Sequence, residues 1–338
     1  MFQRFARALV GALLATGLGI AATPAWAGGH EPTVVIFGDS LSDTGNKLAV
    51  TGQLSTPPYA DLDAFRIPEY PYVRSERFTN GPTWIEGAAL AGRFANSVRA
   101  VLSARRPGHN YAYGGARAGA PLVPSDDRNL TDQVTSYLAD VNGTTNADTI
   151  VLFIGANDVA DAVRALAIDP SGATSVNGLI AGLESINDNL TRLVEAGAHH
   201  FVILNVPNLA LVPALNPPLA PPGLAGIATC WTAFFDHGTP LPAGCPQLPP
   251  GMPGLDAIAA GIRVPGSVRV RLFDTFTFIN QIAAHPEKYG ITNIKDTCVT
   301  PNVAPYQCAR PNKYFFWDGI HPTEVVHQLL ANAVAQQI

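Results

Sequence analysis

Three unbroken apolar runs punctuate the chain: Thr33-Val-Val-Ile-Phe37, Thr149-Ile-Val-Leu-Phe-Ile154 and Phe201-Val-Ile-Leu204. Each has strand length and is stopped by turn residues, at Gly38, at Gly155 and at Asn205 to Pro207. A strand that is apolar at every position is buried on both faces, as in a parallel sheet covered by helices. Two further segments alternate. Asn110-Tyr-Ala-Tyr-Gly-Gly115 spaces its aromatics two apart, and Val268-Arg-Val-Arg-Leu-Phe273 interleaves arginines, which places it nearer the edge of the sheet. Between these strands the period changes to that of a helix. Trp84 to Phe94 follows Pro82, and Asn129 to Val141 carries Leu130, Val134, Tyr137, Leu138 and Val141 on one face. A longer helix runs through Val176, Leu179, Leu183, Ile186, Leu190 and Val194, with Gly197 as its C-terminal cap. A closing helix is predicted to begin at Pro322, a favoured first helical position, with Val325, Val326, Leu329, Leu330 and Val334 inward. Strands alternating with helices predict βαβ units. The expected fold is a three-layer α/β/α sandwich on a central parallel sheet of about five strands, in one domain covering residues 28–338.

Two stretches depart from this rhythm. Gln53 to Thr83 contains five prolines and no clear period, and a loop of that length inside a compact domain is usually either functional or a sign that elements within it are misassigned. Residues 213–254 hold 11 of the 29 prolines and one cysteine pair, so they are neither sheet nor long helix throughout. They read as a surface insertion stiffened by a disulfide; the functional alternative is a lid or acyl-binding wall beside the active edge.

Composition narrows the class. Of 338 residues, 47% are hydrophobic and 14% charged, which is a well-buried globular protein. The net charge of −5, with no basic cluster, excludes a nucleic-acid partner. Arg4 and Arg7, an apolar run from Ala8 to Ala22 and Ala25-Trp-Ala27 have the form of an export signal over residues 1–27. A membrane anchor is the competing reading, but the run is short and rich in Ala, Gly and Thr. The expected product is a soluble protein, secreted or periplasmic, with no transmembrane segment and a charge of 19 − 26 = −7. Cys230, Cys245, Cys298 and Cys308 all lie beyond the signal and suit an oxidising compartment. Four cysteines allow three connectivities; the pairs Cys230–Cys245 and Cys298–Cys308 are favoured because each closes a short loop. A zinc site would need C-x₂-C spacing, and neither cysteine pair has it.

The candidate chemistry sits where the predicted strands end. Ser40 follows the first strand, Gly114 and Gly115 follow the aromatic segment, and Asn157 follows the Thr149 strand. In a parallel sheet these turns share the carboxyl edge, where ligands bind. Near the C-terminus, Asp318 and His321 lie three residues apart in a glycine-containing loop before a helix. Taken singly, each of these is an ordinary turn or capping residue. Together, a hydroxyl, an imidazole, a carboxylate and amide donors are what acyl transfer requires.

These motifs resemble the GDSL-type, or SGNH, family of serine esterases and lipases, in its secreted bacterial and plant-like branch. Gly38-Asp-Ser-Leu-Ser-Asp-Thr-Gly-Asn46, Asn110 to Gly115, Gly155-Ala-Asn-Asp158 and Asp318-x-x-His321 occur in the family's order, with looser matches at Arg77 to Glu86 and Pro286 to Gly290. The resemblance implies a flavodoxin-like SGNH hydrolase fold and a triad of Ser40, His321 and Asp318. It also implies an oxyanion hole from the Ser40 and Gly115 N–H groups and the Asn157 side chain, with Gly114 as the off-by-one alternative to Gly115. It implies neither metal nor cofactor. Ser42 stands where the α/β-hydrolase elbow G-x-S-x-G needs its second glycine. The expected substrates are acyl esters, lysophospholipids among them, met in solution or at lipid interfaces. Carbohydrate deacetylation, or a non-catalytic binding module on the same scaffold, are the other readings. His199 and His200 are expected in a loop, Asp126 and Asp127 in a solvated loop, and Asp39 and Asp158 in structural hydrogen bonds.

Overall fold

In the computed structural model, which describes residues 31–338 apart from 105, 126 and 263–266, the apolar runs become a parallel sheet. Its strands are β1 (Val34–Gly38), β2 (Thr149–Phe153), β3 (His200–Leu204) and β4 (Arg269–Phe273), in the order β1-β2-β3-β4. Val34 pairs with Thr149, Ile150 with Phe201 and Phe201 with Val270. β1 and β2 are buried at every position. β4 exposes Arg269 and Arg271 on the open edge, where charge discourages pairing with another chain. His200, expected in a loop, is the first residue of β3, and its Nδ1 lies 3.1 Å from Thr149 Oγ1.

The sheet has four strands, not five. Residues 109–113 do run beside β1: Ile36 N–H donates to His109 O at 3.0 Å, and Tyr111 and Tyr113 N–H donate to Ile36 and Gly38 O at 2.8 and 3.0 Å. One bridge forms, Ile36 to Asn110. The next is intercepted by Gln133, whose side-chain oxygen takes the Gly38 N–H at 3.0 Å while its Nε2 donates to Gly38 O at 2.8 Å. A side-chain amide thus replaces the fifth strand's ladder at the point where the chain leaves for the Ser40 turn.

The helices are α1 (Asn46–Thr51), α2 (Trp84–Gly92), α3 (Leu130–Asp140), α4 (Ala156–Ala165), α5 (Ala173–Glu195), α6 (Leu224–His237), α7 (Leu255–Gly261), α8 (Thr275–Ala284) and α9 (Glu324–Val334). Val34, Ile36, Val151, Phe153, Val202 and Leu204 face α2 and α9, while Val35, Phe37, Ile150, Leu152, Phe201 and Ile203 face α3 to α6. This is the layered α/β arrangement that the alternation of elements predicts. α5 ends in a Schellman motif: Gly197 N–H donates to Val194 O and Ala198 N–H to Leu193 O, each at 2.9 Å. α9 begins at Glu324 instead of Pro322, because the Thr323 N–H is held by Phe315 O at 2.9 Å. A second, two-stranded parallel sheet, β5 (Asn293–Thr297) with β6 (Tyr314–Phe316), was not foreseen.

The proline-rich stretch is more than a surface insertion. Between Pro222 and Pro240 no proline interrupts the chain, and α6 forms there with Trp231, Phe234 and Phe235 buried against the main core. Asp236 of α6 accepts the Val206 N–H at 3.0 Å, tying the helix to the turn after β3, and burial pushes its carboxyl well above the usual carboxylate range. The cysteines pair locally, Cys230 with Cys245 and Cys298 with Cys308. Residues Glu31–Ile338 form one compact unit. Residues 1–27, expected to be an export signal, lie outside the described residues, among which no helix is long and apolar enough to cross a membrane.

Candidate active site

The Ser40 turn is built by aspartates. Asp39 O accepts the Ser42 and Asp43 N–H groups at 3.0 Å, and Asp39 Oδ1 accepts the Leu41 N–H at 2.9 Å. Asp43 gathers four more: its Oδ1 takes Gly45 and Asn46, and its Oδ2 takes Lys47 and Gly114, at 2.6–3.0 Å. One carboxylate therefore starts α1 and binds the turn after β1 to the glycine turn. Asn46 Nδ2 adds bonds to Asn110 O and Ala112 O, each 2.8 Å, and Asn110 Nδ2 returns one to Ser42 O at 2.8 Å. The first two sequence motifs are thus one polar network. It leaves the Ser40 hydroxyl half-buried and accessible.

His321 Nε2 lies 2.8 Å from Ser40 Oγ, although 281 residues separate them. Its Nδ1 is 2.9 Å from Asp318 Oδ2 and 3.0 Å from Oδ1. The carboxylate is fully buried and held by further donors: Ile320 and His321 N–H to Oδ1 at 2.9 and 2.8 Å, and the Tyr72 hydroxyl to Oδ2 at 2.8 Å. With Nδ1 occupied by an acceptor, the imidazole presents Nε2 to Ser40 as the proton acceptor.

Three of these supports come from the long irregular stretch, and sequence reading missed them. Tyr72 is fully buried; burial first, and then the Asp318 charge, push its hydroxyl well above its ordinary pKa, so it remains a donor. The Phe78 ring packs 5.4 Å from the His321 ring. Arg66 O accepts the Gly319 N–H at 2.9 Å, and a Cβ at Gly319 would meet Phe65 O at 1.9 Å, so the Asp318–His321 loop requires glycine there. A long aperiodic loop gives no sequence signal beyond its length.

The two glycines of the turn after the aromatic segment differ in what their N–H groups do. The Gly114 N–H is spent on Asp43, whereas among the described residues neither the Ser40 nor the Gly115 N–H donates to any acceptor. Gly115 has φ +89°, and a Cβ there would lie 2.6 Å from Asp127 Oδ2. Glycine is needed at 115 for the backbone conformation and for the close approach of this carboxylate. Asp127 itself is not solvated: it pairs with Lys47 and with Arg117, the latter at 3.3 Å, and Arg117 Nη1 donates to Gly115 O at 2.5 Å. Its neighbour Asp126 lies outside the described residues. Asn157 Nδ2 gives one hydrogen to Ala116 O at 2.8 Å, which orients the amide and leaves its second hydrogen for a ligand. Asp158 accepts Ala118 and Gly119 N–H at 2.8 and 2.9 Å, the structural role expected of it. Burial raises the carboxyls of Asp158 to about 6 and of Asp39 to about 7.

Beside Ser40 opens an apolar cavity, about 690 Å³ when the solvent at its mouth is included. Phe153, Leu209, Ile279, Phe316 and Leu330 are among its walls, and Gly115 is not. Of the proline-rich stretch and its approach, Leu209 and Val212 line it; α6 does not. Among the described residues no three His, Cys, Asp or Glu side chains gather as a metal site.

His327, also in this wall, is buried, and its Nδ1 accepts the Trp84 N–H at 3.2 Å. Burial, helped by the His321 charge, lowers it from 6.5 to about 3. Between these values the unfolded chain binds a proton that the folded chain does not, so stability rises with pH, by about 1.4 kcal/mol per unit. The contribution is complete above pH 6.5 and is lost as pH falls toward 3. Melting temperatures from pH 7 to 4 are expected to fall less steeply in His327→Gln than in the parent; parallel curves would remove His327 as the cause.

Residues 34–334 match the family described as GDSL-like Lipase/Acylhydrolase, and the chain belongs to that family of carboxylic ester hydrolases. An acetylesterase of Thermothelomyces thermophilus is 26% identical over 347 residues, covering 98% of this chain and 97% of that protein. A phosphatidylcholine-sterol acyltransferase of Aeromonas hydrophila is 25% identical, covering 94% of each. The thermolabile hemolysin of Vibrio parahaemolyticus is 24% identical over 90% of this chain, which spans 63% of the hemolysin's length. Among solved structures, an alpha/beta hydrolase enzyme from the metagenome of Lake Arreo, Spain, overlays with a TM-score of 0.44 at 14% identity, covering 90% of this chain and 94% of that one.

Proposed function

We propose that the protein is an exported esterase or lipase that cleaves acyl esters through a covalent Ser40 intermediate. The observation that carries this reading is the 2.8 Å separation of His321 Nε2 from Ser40 Oγ, with Asp318 behind the ring. Ser40 Oγ attacks the ester carbonyl carbon while His321 Nε2 takes the hydroxyl proton. Asp318 holds the tautomer and stabilises the imidazolium. The oxyanion is received by the Ser40 and Gly115 N–H groups and the free hydrogen of Asn157, each worth roughly 3 kcal/mol. The carbon–oxygen bond to the alcohol then breaks and His321 returns the proton to the leaving oxygen. Water, deprotonated by the same histidine, attacks the acyl carbon; the bond to Ser40 Oγ breaks, His321 returns the proton to Oγ, and the acid leaves.

An apolar cavity beside the nucleophile supports acyl chains over sugars, lysophospholipids and other lipid esters at interfaces included. Two disulfides and the signal-like segment at 1–27 support export to the periplasm or beyond. A fluorophosphonate probe tests the mechanism: the parent should be labelled at Ser40, and Ser40→Ala not at all. An unlabelled parent, or equal labelling of the variant, would overturn it.

A further inference from the structure

The cavity beside Ser40 follows the carboxyl edge of the sheet from one side to the other. Its walls take Ser40 and Leu41 after β1, Asn157 after β2, Leu209 after β3, and Thr275 and Ile279 after β4. Because the strand order is β1-β2-β3-β4, these residues stand in spatial sequence, with Ser40 and His321 at one end and Ile279 at the other. Three strand spacings measure about 14 Å. Val326 and Leu330 of α9 and Phe153 line the same space, so the walls are mostly apolar.

From this geometry we infer that the cavity is an acyl-chain channel of fixed length, which selects medium-chain acyl esters. The inference rests on the serine-esterase reading above. An extended chain advances roughly 3.5 Å for every three main-chain bonds, so about 14 Å takes about twelve bonds. With its carbonyl at Ser40, an acyl group of about eight to twelve carbons fills the channel and a hexadecanoyl group overruns it. An acetyl group leaves it empty and gains none of the burial, which is worth about fourfold per methylene at most. Ile279, on α8, is buried and lines the cavity beyond β4, the strand farthest from Ser40. A larger side chain there shortens the channel from the end away from the chemistry.

Soluble acyl p-nitrophenyl esters from acetyl to hexadecanoyl, each below its micellar concentration, test this. For the parent, kcat/KM is expected to rise at least about tenfold from acetyl to decanoyl and to fall again at hexadecanoyl. In Ile279→Trp the decanoyl-to-acetyl ratio should drop by about tenfold or more, with folding checked by melting temperature. A profile that peaks at acetyl, or climbs through hexadecanoyl, or a ratio unmoved in the folded variant, would overturn the channel. If Ile279→Trp does not fold, the parent's inactivation by methyl and decyl fluorophosphonates decides: faster reaction of the decyl reagent supports the channel, and equal rates refute it. A parent that cleaves no ester and takes up neither reagent defeats the esterase reading itself, whereas one that cleaves every length equally defeats the channel alone.

Discussion

Ser40→Ala is expected to lower kcat on acyl esters by roughly 10⁶-fold, the loss measured when a triad serine is removed elsewhere. The size follows from the absence of a substitute. Ser42, the nearest hydroxyl in sequence, is buried and accepts the Trp84 indole N–H at 3.0 Å, so it cannot turn toward a carbonyl. The Ser40 side chain bonds to His321, and that contact is worth about 1 kcal/mol to folding, so the variant should melt close to the parent. His321→Ala should cost about as much, and the double variant little more, because nucleophile and base act in one step. Steady-state kinetics with the purified proteins check all three. Near-parental turnover in Ser40→Ala would remove it as nucleophile, and additive losses would separate its role from that of His321.

The parts of this site that the sequence declared are those in which local chemistry and backbone geometry coincide. A β-branched run followed by Gly38-Asp-Ser must end a buried strand in a turn, and Asp318 and His321 are near enough in sequence to be read as a pair. What supports them was silent because it depends on distant partners. Tyr72 lies 246 residues from the carboxylate it holds, in a stretch with no period to fix its direction. Asp127 reads as solvated beside Asp126, and becomes a half-buried, paired ion only through Lys47 and Arg117. Gln133 did leave a signal: it falls on the face defined by Leu130, Val134 and Tyr137, and a polar group on an apolar face needs a buried partner. That partner is the β1 backbone, and its capture is why a sequence pattern for about five strands gives a ladder of four. The prolines of the 213–254 stretch rule out sheet or long helix throughout, but they flank α6 and spare its interior, so one buried helix forms where composition gave no sign of it.

In Asp318→Asn, kcat is expected to fall by roughly 10⁴-fold while the fold survives, and the hydrogen bonds around the carboxylate say why. Oδ1 accepts two backbone N–H groups, from Ile320 and His321, and these cannot move without the loop. An asparagine must therefore place its oxygen at Oδ1 and its NH₂ at the site of Oδ2. There the amide meets the Tyr72 hydroxyl, which can reverse and accept, and His321 Nδ1, which can accept only by giving up its proton. The imidazole then carries its hydrogen on Nε2, 2.8 Å from Ser40 Oγ, and faces the nucleophile as a donor. Every bond is still made, so melting should change little, but the base no longer has a lone pair where the proton must go. Fluorophosphonate labelling of Ser40 should slow along with kcat, and KM should move far less. Turnover in Asp318→Asn within tenfold of the parent would show that the carboxylate does not set the tautomer, and that the arrangement around Tyr72 serves the loop rather than the reaction.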